Sequence, residues 1–343
     1  MSKTIFIVDD NAVNLSVAKD ALKEQYRVRT LPSAAKMFEI MEKVTPDLIL
    51  LDIKMPDMDG FEALAVLKGN KSTAEIPVIF LTSLTDANVE ARGFQMGVVD
   101  FIHKPFSAPV LQNRIKTHLD IDKIIQERTS SLKSLKNALV YTLADMVENR
   151  DKGTGGHIER TTLYIKALLE EMVTKKVYLE KLKEMDIDMF VSSARLHDLG
   201  KVAITDVVLN KPGKLTDEEF AIMKEHCKVG EDIIDNIMLR TEDVEFLYNA
   251  KLIAGSHHER WDGKGYPRGL AGEDIPLQGR IVAVVDVYDA LVSERPYKKA
   301  FTPDQAADII MEGAGSHFDP KIAEVFFNAK ELFKEIKYAI DMS

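Results

Sequence analysis

The chain has 343 residues, with 45 Lys and Arg against 55 Asp and Glu, for a formal net charge of -10. That length suggests two domains, each long enough to bury its own core, and the acidic balance argues against non-specific partners such as nucleic acid or an anionic membrane. The lone cysteine, Cys227, rules out an internal disulfide and fits a reducing, cytoplasmic setting. The chain contains no apolar run of about 18 residues that would span a membrane. The opening Thr4-Ile5-Phe6-Ile7-Val8 meets Asp9 and Asp10 too soon for a signal peptide.

In chain order, short apolar runs at Ile5–Val8, Arg27–Thr30, Leu48–Leu51, Val78–Leu81 and Phe101–Ile102 predict five strands. Amphipathic stretches starting near Ala12, Ala34, Phe61, Asp86 and Ala108 predict the helices between and after them. Five alternating units imply a parallel, doubly wound α/β sheet covered on both faces. From about 110 to 140 the strands stop, and Leu111, Ile115, Leu119, Ile125, Leu132, Leu135 and Leu139 form one apolar stripe. It reads as a helical linker packed on either domain or, more sharply, as a parallel dimer seam. The remainder is helical in period, broken by a loop rich in glycine and proline at 261–276. The expected domains are 1–120, a linker at 121–140, and an all-α unit at 141–343.

In an open α/β sheet, ligands bind at the carboxyl ends of the strands. Asp9 and Asp10 end the first strand, Asp52 the third, Thr82 the fourth and Lys104 the fifth. Three carboxylates brought together call for a divalent cation, and oxygen-only ligation suits Mg²⁺. A carboxylate beside Mg²⁺ and an ammonium can attack a phosphoryl donor. With the segments Val8-Asp9-Asp10, Leu51-Asp52-Ile53-Lys54-Met55-Pro56, Leu81-Thr82-Ser83 and His103-Lys104-Pro105-Phe106, residues 1–120 resemble the receiver domain of two-component response regulators, a flavodoxin-like fold. The resemblance implies Asp52 as phosphoacceptor, Mg²⁺ on Asp9, Asp10 and Asp52, phosphoryl contacts from Thr82 and Lys104, and Phe101 as an aromatic switch. It implies a cognate sensor histidine kinase as partner.

The second half carries His197-Asp198 and His257-His258 as doublets, with His157, His226 and Asp286 at other suggestive places. Imidazoles and carboxylates without thiolates suit Fe, Mn, Ni or Co better than a structural zinc. A carboxylate such as Asp198 can bridge two cations, which can together activate water for in-line attack at phosphorus. Two adjacent histidines would be expensive to bury without a ligand. The bland reading is kept for the other histidines: His118 as a surface residue, His103 as a strand flank, and His317 as a cap for the helix after Pro320. Cys227 reads as a small buried filler.

These residues, with Trp261-Asp262-Gly263-Lys264-Gly265-Tyr266-Pro267-Arg268-Gly269-Leu270, resemble the HD-GYP family of the HD superfamily of metal phosphohydrolases over roughly 140–330. By resemblance, His157, His197, Asp198 and Asp286 hold one metal, Fe first among candidates. His226, His257 and His258 hold the second, with Asp198 bridging. Asp198 and Lys201 form the catalytic pair; Lys201, three residues on, shares a helical face with Asp198. Tyr266, Arg295 and Lys298 join Lys201 in binding substrate. The implied reaction is hydrolysis of cyclic di-GMP to pGpG and, in some members, onward to GMP. Members with a third metal carry Glu four residues before the first histidine, where this chain has Gly153, so two metals are expected. Rival readings are a scaffold that binds cyclic dinucleotide without turnover, and a phosphodiesterase for another cyclic dinucleotide such as cyclic GMP-AMP.

Overall fold

The computed structural model describes residues 2–83, 86–150, 156–242, 244–294 and 299–341. The chain divides into two compact units, Met1–Leu132 and Lys133–Ser343.

The first unit is a five-stranded parallel sheet in the order β2-β1-β3-β4-β5. The strands are β1 Thr4–Val8, β2 Arg27–Leu31, β3 Leu48–Asp52, β4 Val78–Thr82 and β5 Asp100–His103. The helices are α1 Ala12–Leu22, α2 Ala34–Met41, α3 Gly60–Gly69, α4 Ala87–Gln95 and α5 Ala108–Glu148. Strands β3 and β4 are buried at every position, as expected for a parallel sheet covered on both sides, whereas the edge strand β2 alternates. Side chains of period two sort into two cores. Phe6, Val8, Ile49, Leu51 and Phe80 meet α2 and α3 through Met37, Phe61 and Leu64. Ile5, Ile7, Leu48, Leu50, Ile79 and Leu81 meet α1 and the start of α5 through Leu22, Leu111 and Ile115. Asn11, Ser33 and Asp86 cap α1, α2 and α4, and Asp59 and Glu62 form a capping box on α3. Polar residues extend β3 and β4 one residue past their apolar runs, so that Asp52 and Thr82 are the last residues of those strands. At Gly60 an added Cβ would collide with the main chain of Asp52, so α3 can start only on glycine this close to β3.

The second unit is helical among its described residues. After the end of α5 come α6 His157–Thr174, α7 Leu179–Lys183, α8 Ile187–Ala194, a 3₁₀ turn Leu199–Ala203 and α9 Asp206–Leu209. They are followed by α10 Asp217–Met238, α11 Val244–Ala254, α12 Leu277–Val292, α13 Pro303–Glu312, α14 Pro320–Asn328 and α15 Lys330–Asp341. One core joins α6, α8, α12, α13, α14 and α15, centred on Tyr164, Phe190, Tyr288, Phe326 and Phe333. A smaller one packs Val140 of α5 against Leu196, Ile234, Phe246 and Ala250. Of the stripe on α5, Ile125, Leu132, Leu135 and Leu139 are exposed.

The cap of α14 is Asp319, whose Oδ1 accepts from the amides of Lys321 and Ile322; His317 instead stacks on Phe318 with ring centroids 4.2 Å apart. His118 is not a free surface residue: its Nε2 lies 3.1 Å from Asp100 Oδ2, and the side chain is 18% exposed. His103 closes β5 and pairs with Glu90 at 3.1 Å. Cys227 is fully buried.

Candidate metal centre and receiver site

The carboxyl edge of the sheet brings Asp9, Asp10 and Asp52 together, with one oxygen of each within 4.8 Å of the others. Lys104 Nζ lies 2.7 Å from Asp9 Oδ2 and 2.8 Å from Asp52 Oδ1, so one ammonium spans both acids. Burial pushes Asp52 above the usual 3.8, although Lys104 bonds it and pulls the other way. Thr82 is buried on the neighbouring strand, beside the first residues after β3. Asn14, unremarkable in the sequence, donates to both oxygens of Asp9 at 3.0 and 3.1 Å and fixes its orientation. Phe101 is buried edge-on between Phe80 and Phe94, with centroids 5.6 and 5.1 Å away. Gly93 lies so close to the Phe101 ring that a Cβ there would strike it.

In the helical unit the candidate ligands come from five separate places. His157 opens α6, His197 and Asp198 follow α8, His226 lies in α10, His257 and His258 follow α11, and Asp286 lies in α12. They gather into two groups that share Asp198: His157, His197 and Asp198, and Asp198, His226, His257 and His258. The carboxylate of Asp198 is split between them. Its Oδ2 is 3.3 Å from His197 Nε2, while its Oδ1 is 3.5 Å from His226 Nε2 and 3.8 Å from His257 Nε2. Asp286 stands just outside the tight groups, its Oδ1 3.6 Å from His157 Nε2.

The far nitrogens of four rings are already engaged. Nδ1 of His197 meets Ala194 O at 3.0 Å, that of His226 meets Met223 O at 2.7 Å, and that of His257 meets Ile253 O at 3.0 Å. His157 Nδ1 is 2.8 Å from Asp289 Oδ2. Carbonyls and carboxylates only accept, so each Nδ1 carries a hydrogen, and each ring in its neutral form turns the Nε2 lone pair to the cluster. Asp289 lies one turn past Asp286 on α12 and also binds Arg160 at 2.6 and 3.0 Å. It could have been read from that i, i+3 spacing, but the sequence offers no sign of its partner. Glu148 was equally hidden. From the end of α5 its carboxylate accepts from the amides of His157 and Ile158 at 2.8 and 3.1 Å, capping α6 where Gly156 has no side chain to do so.

Lys201 faces Asp198, with Nζ 2.8 Å from Oδ2. The intervening turn is 3₁₀ rather than α, and residues three apart eclipse in that geometry. Gly200 presses its backbone on the His226 carbonyl and the Gly230 amide, leaving no space for a Cβ. Tyr266 tilts over His258, centroids 4.8 Å apart, and its loop is held by Glu259, which accepts from the amides of Arg268 and Leu270 at 2.7 and 3.0 Å. Arg295, Lys298 and Gly153 lie outside the described residues.

Burial disfavours the His197 cation, but Asp198, close and hydrogen-bonded, together with Asp286, overcomes this and raises it to about 9. Burial pushes His226 down to about 4 and holds His258 well below the usual 6.5. Asp198, despite burial, is held well below 3.8 by Lys201 and His197. Asp198 is thus held ionised and His226 and His258 neutral, the forms that ligate metal, whereas His197 keeps a proton that it would release on binding one. Asp198 Oδ1 is buried and makes no hydrogen bond. A divalent cation on each side fits this donor set; a closed structural zinc site of thiolates does not.

Comparison with known proteins bears on the whole chain. The family described as a response regulator receiver domain matches residues 5–116, and the HD domain family matches residues 141–322. A protein of Xanthomonas campestris pv. campestris named "Cyclic di-GMP phosphodiesterase response regulator RpfG" is 34% identical across 97% of this chain and 89% of its own length. The chain belongs to the HD-domain response regulators. This regulator is also 40% identical to a Vibrio cholerae protein named "Probable cyclic di-GMP phosphodiesterase", over 97% of this chain and 79% of that one. A second Vibrio cholerae protein, named "3'3'-cGAMP-specific phosphodiesterase 2", is 41% identical to the regulator over 61% of this chain and 38% of its own. No helix among the described residues is long and apolar enough to cross a membrane.

Proposed function

We propose that this regulator is a cytoplasmic enzyme that hydrolyses cyclic di-GMP to pGpG, with GMP as the further product that some relatives of this family reach, under control of phosphoryl transfer from a sensor histidine kinase to Asp52. The observation that carries the reading is Asp198, whose two oxygens address two histidine groups and whose Oδ1 is buried without a hydrogen bond. His157, His197, Asp198 and Asp286 would hold one metal and His226, His257, His258 and Asp198 the other, with iron ahead of manganese, nickel or cobalt. Bound there, the pair would supply a nucleophile at neutral pH and clamp the oxygens of an in-line displacement at phosphorus. Lys201 would neutralise charge that builds on the phosphoryl oxygens, and Tyr266 would pack against the nucleotide. Arg295 and Lys298 would complete the hold on phosphate or guanine. Glu148 is engaged with two backbone amides, which supports two metals rather than three.

Mg²⁺ on Asp9, Asp10 and Asp52, with Thr82 and Lys104 on the phosphoryl group and Phe101 as the responding ring, would form the switch. Residues 1–120 would be the receiver, 121–140 the linker and 141–343 the effector. The exposed Ile125, Leu132 and Leu139 recur every seven residues, which favours a parallel seam between two copies of the chain. Turnover of cyclic di-GMP by protein reconstituted anaerobically with Fe or Mn tests the enzyme, with nucleotide products separated by chromatography. No turnover by protein holding both metals would sink it and favour the binding scaffold. The relative named for 3'3'-cGAMP supports a second reading in which that dinucleotide is preferred; competition between the two substrates decides.

A further inference from the structure

Arg150 lies just past the end of α5 and turns both terminal nitrogens of its guanidinium on one short stretch of chain. Nη1 donates to Val202 O at 2.8 Å and to Lys201 O at 3.3 Å. Nη2 donates to Ile204 O at 3.1 Å and pairs with Asp206 Oδ1 at 2.8 Å. The Asn210 side chain donates back to the Arg150 carbonyl at 2.9 Å, which fixes the clamp from both ends. The Lys201 carbonyl already accepts from the Ile204 amide at 3.1 Å and takes Arg150 as a second donor, and a cation is favourable at the end of a helical turn. A rigid planar fork holds several acceptors in one fixed geometry, which the point charge of a lysine does not.

The stretch so held is the 3₁₀ turn Leu199–Ala203, which carries Lys201. Its other side is set by Gly200, packed without clearance on the His226 carbonyl of α10. The turn is thus gripped between α10, which bears a candidate metal ligand, and Arg150. Two residues before Arg150, Glu148 holds the first amides of α6, which bears His157.

We propose that Arg150 is a positioning residue for Lys201: by binding the carbonyls of the turn it keeps the Lys201 ammonium beside Asp198. This rests on Lys201 contacting the phosphate of the substrate, as read above. The end of α5 then sets both the ammonium, through Arg150, and the backbone under His157, through Glu148.

The test compares Arg150→Ala, Lys201→Ala and the double variant in the full-length, metal-loaded protein. Arg150→Ala should lower kcat roughly 10- to 100-fold, the scale for displacing a catalytic group by about an ångström. KM should change much less than kcat, because Lys201 acts chiefly on charge that builds in the transition state while the other substrate contacts remain, and metal content should stay the same. In the Lys201→Ala background the same substitution should cost less than about twofold, since there is no ammonium left to position. Guanidinium ion in the buffer should restore part of the turnover of Arg150→Ala and none in the double variant. Equal losses in both backgrounds would overturn the proposal. A second readout needs no substrate: amide hydrogen exchange over 199–204 should quicken in Arg150→Ala while that around His226 and His257 holds. Unchanged exchange over 199–204 would overturn the proposal by itself. Inactivity of the wild type on every cyclic dinucleotide would remove the functional reading instead and leave the exchange result to decide. Arg150→Lys, which keeps the charge but loses the fork, carries the same exchange readout if Arg150→Ala does not fold.

Discussion

Asp289 is the sharpest place to test how the metal centre is held. It is 2% exposed, accepts from His157 Nδ1 at 2.8 Å, and pairs with Arg160, which is itself 9% exposed. Asp289→Asn keeps the shape and one acceptor for His157 but removes the charge. Loss of a partner that orients a ligating imidazole typically costs about 10–100-fold in metal affinity, or roughly 1.4–2.8 kcal/mol. The loss should fall on the metal of His157, His197 and Asp198 alone, because His226 and His257 are oriented by main-chain carbonyls. Asp289→Ala goes further and removes the carboxylate that pairs with the buried Arg160 guanidinium, a loss of about 3–5 kcal/mol. In a unit of this size that lowers the melting temperature by roughly 6–20 °C. Anaerobic metal titration followed by elemental analysis reads the first effect, and calorimetry of the metal-free protein reads the second. If Asp289→Asn binds both metals with wild-type affinity, the orienting role is wrong.

Asp52→Asn is expected to abolish labelling by acetyl phosphate while the protein still melts as the wild type does. Lys201→Ala should cost about 10²–10³ in turnover, the scale of one lost transition-state donor, and retain both metals; wild-type turnover would refute its role. Protein purified anaerobically should contain two metals per chain, and a third ordered metal contacting His157 would refute the argument from Gly153 and Glu148. In the receiver, Asp100 is partly buried, which raises its carboxyl, but bonds from Arg114, His118 and the Phe101 amide outweigh this and hold it below 3.8. That stability is complete above the unfolded value and is lost as pH falls through the lowered folded one. Asp100→Asn should therefore flatten the acid limb of receiver stability below about pH 4, as read by denaturant titration.

The receiver was legible because its chemistry sits at strand ends and its strands are nearly continuous apolar runs. The boundaries fell short at Asp52 and Thr82 because a polar residue can still pair in the ladder. The histidine doublets were legible because burying two adjacent imidazoles without a use is costly. Their supports were not, since Glu148, Arg150 and Asp289 act across chain reversals that leave no periodicity. Asp286 follows the apolar run Ile281–Val285, yet it lies in the middle of α12, which continues to Val292. His317 was misread as a cap because a helix starting at Pro320 needs one, and the nearer Asp319 supplies it.

The main-chain anchoring of three imidazoles has a genetic consequence. No side-chain replacement can delete the carbonyls of Ala194, Met223 or Ile253, so the tautomers of His197, His226 and His257 are shielded from point mutation everywhere but at the histidines themselves. Of the four rings so described, His157 alone depends on a replaceable partner. A saturation screen for variants that fold yet lose metal should therefore be lopsided, with hits away from the ligands clustering around Asp289 on α12 and sparse along α10 and α11.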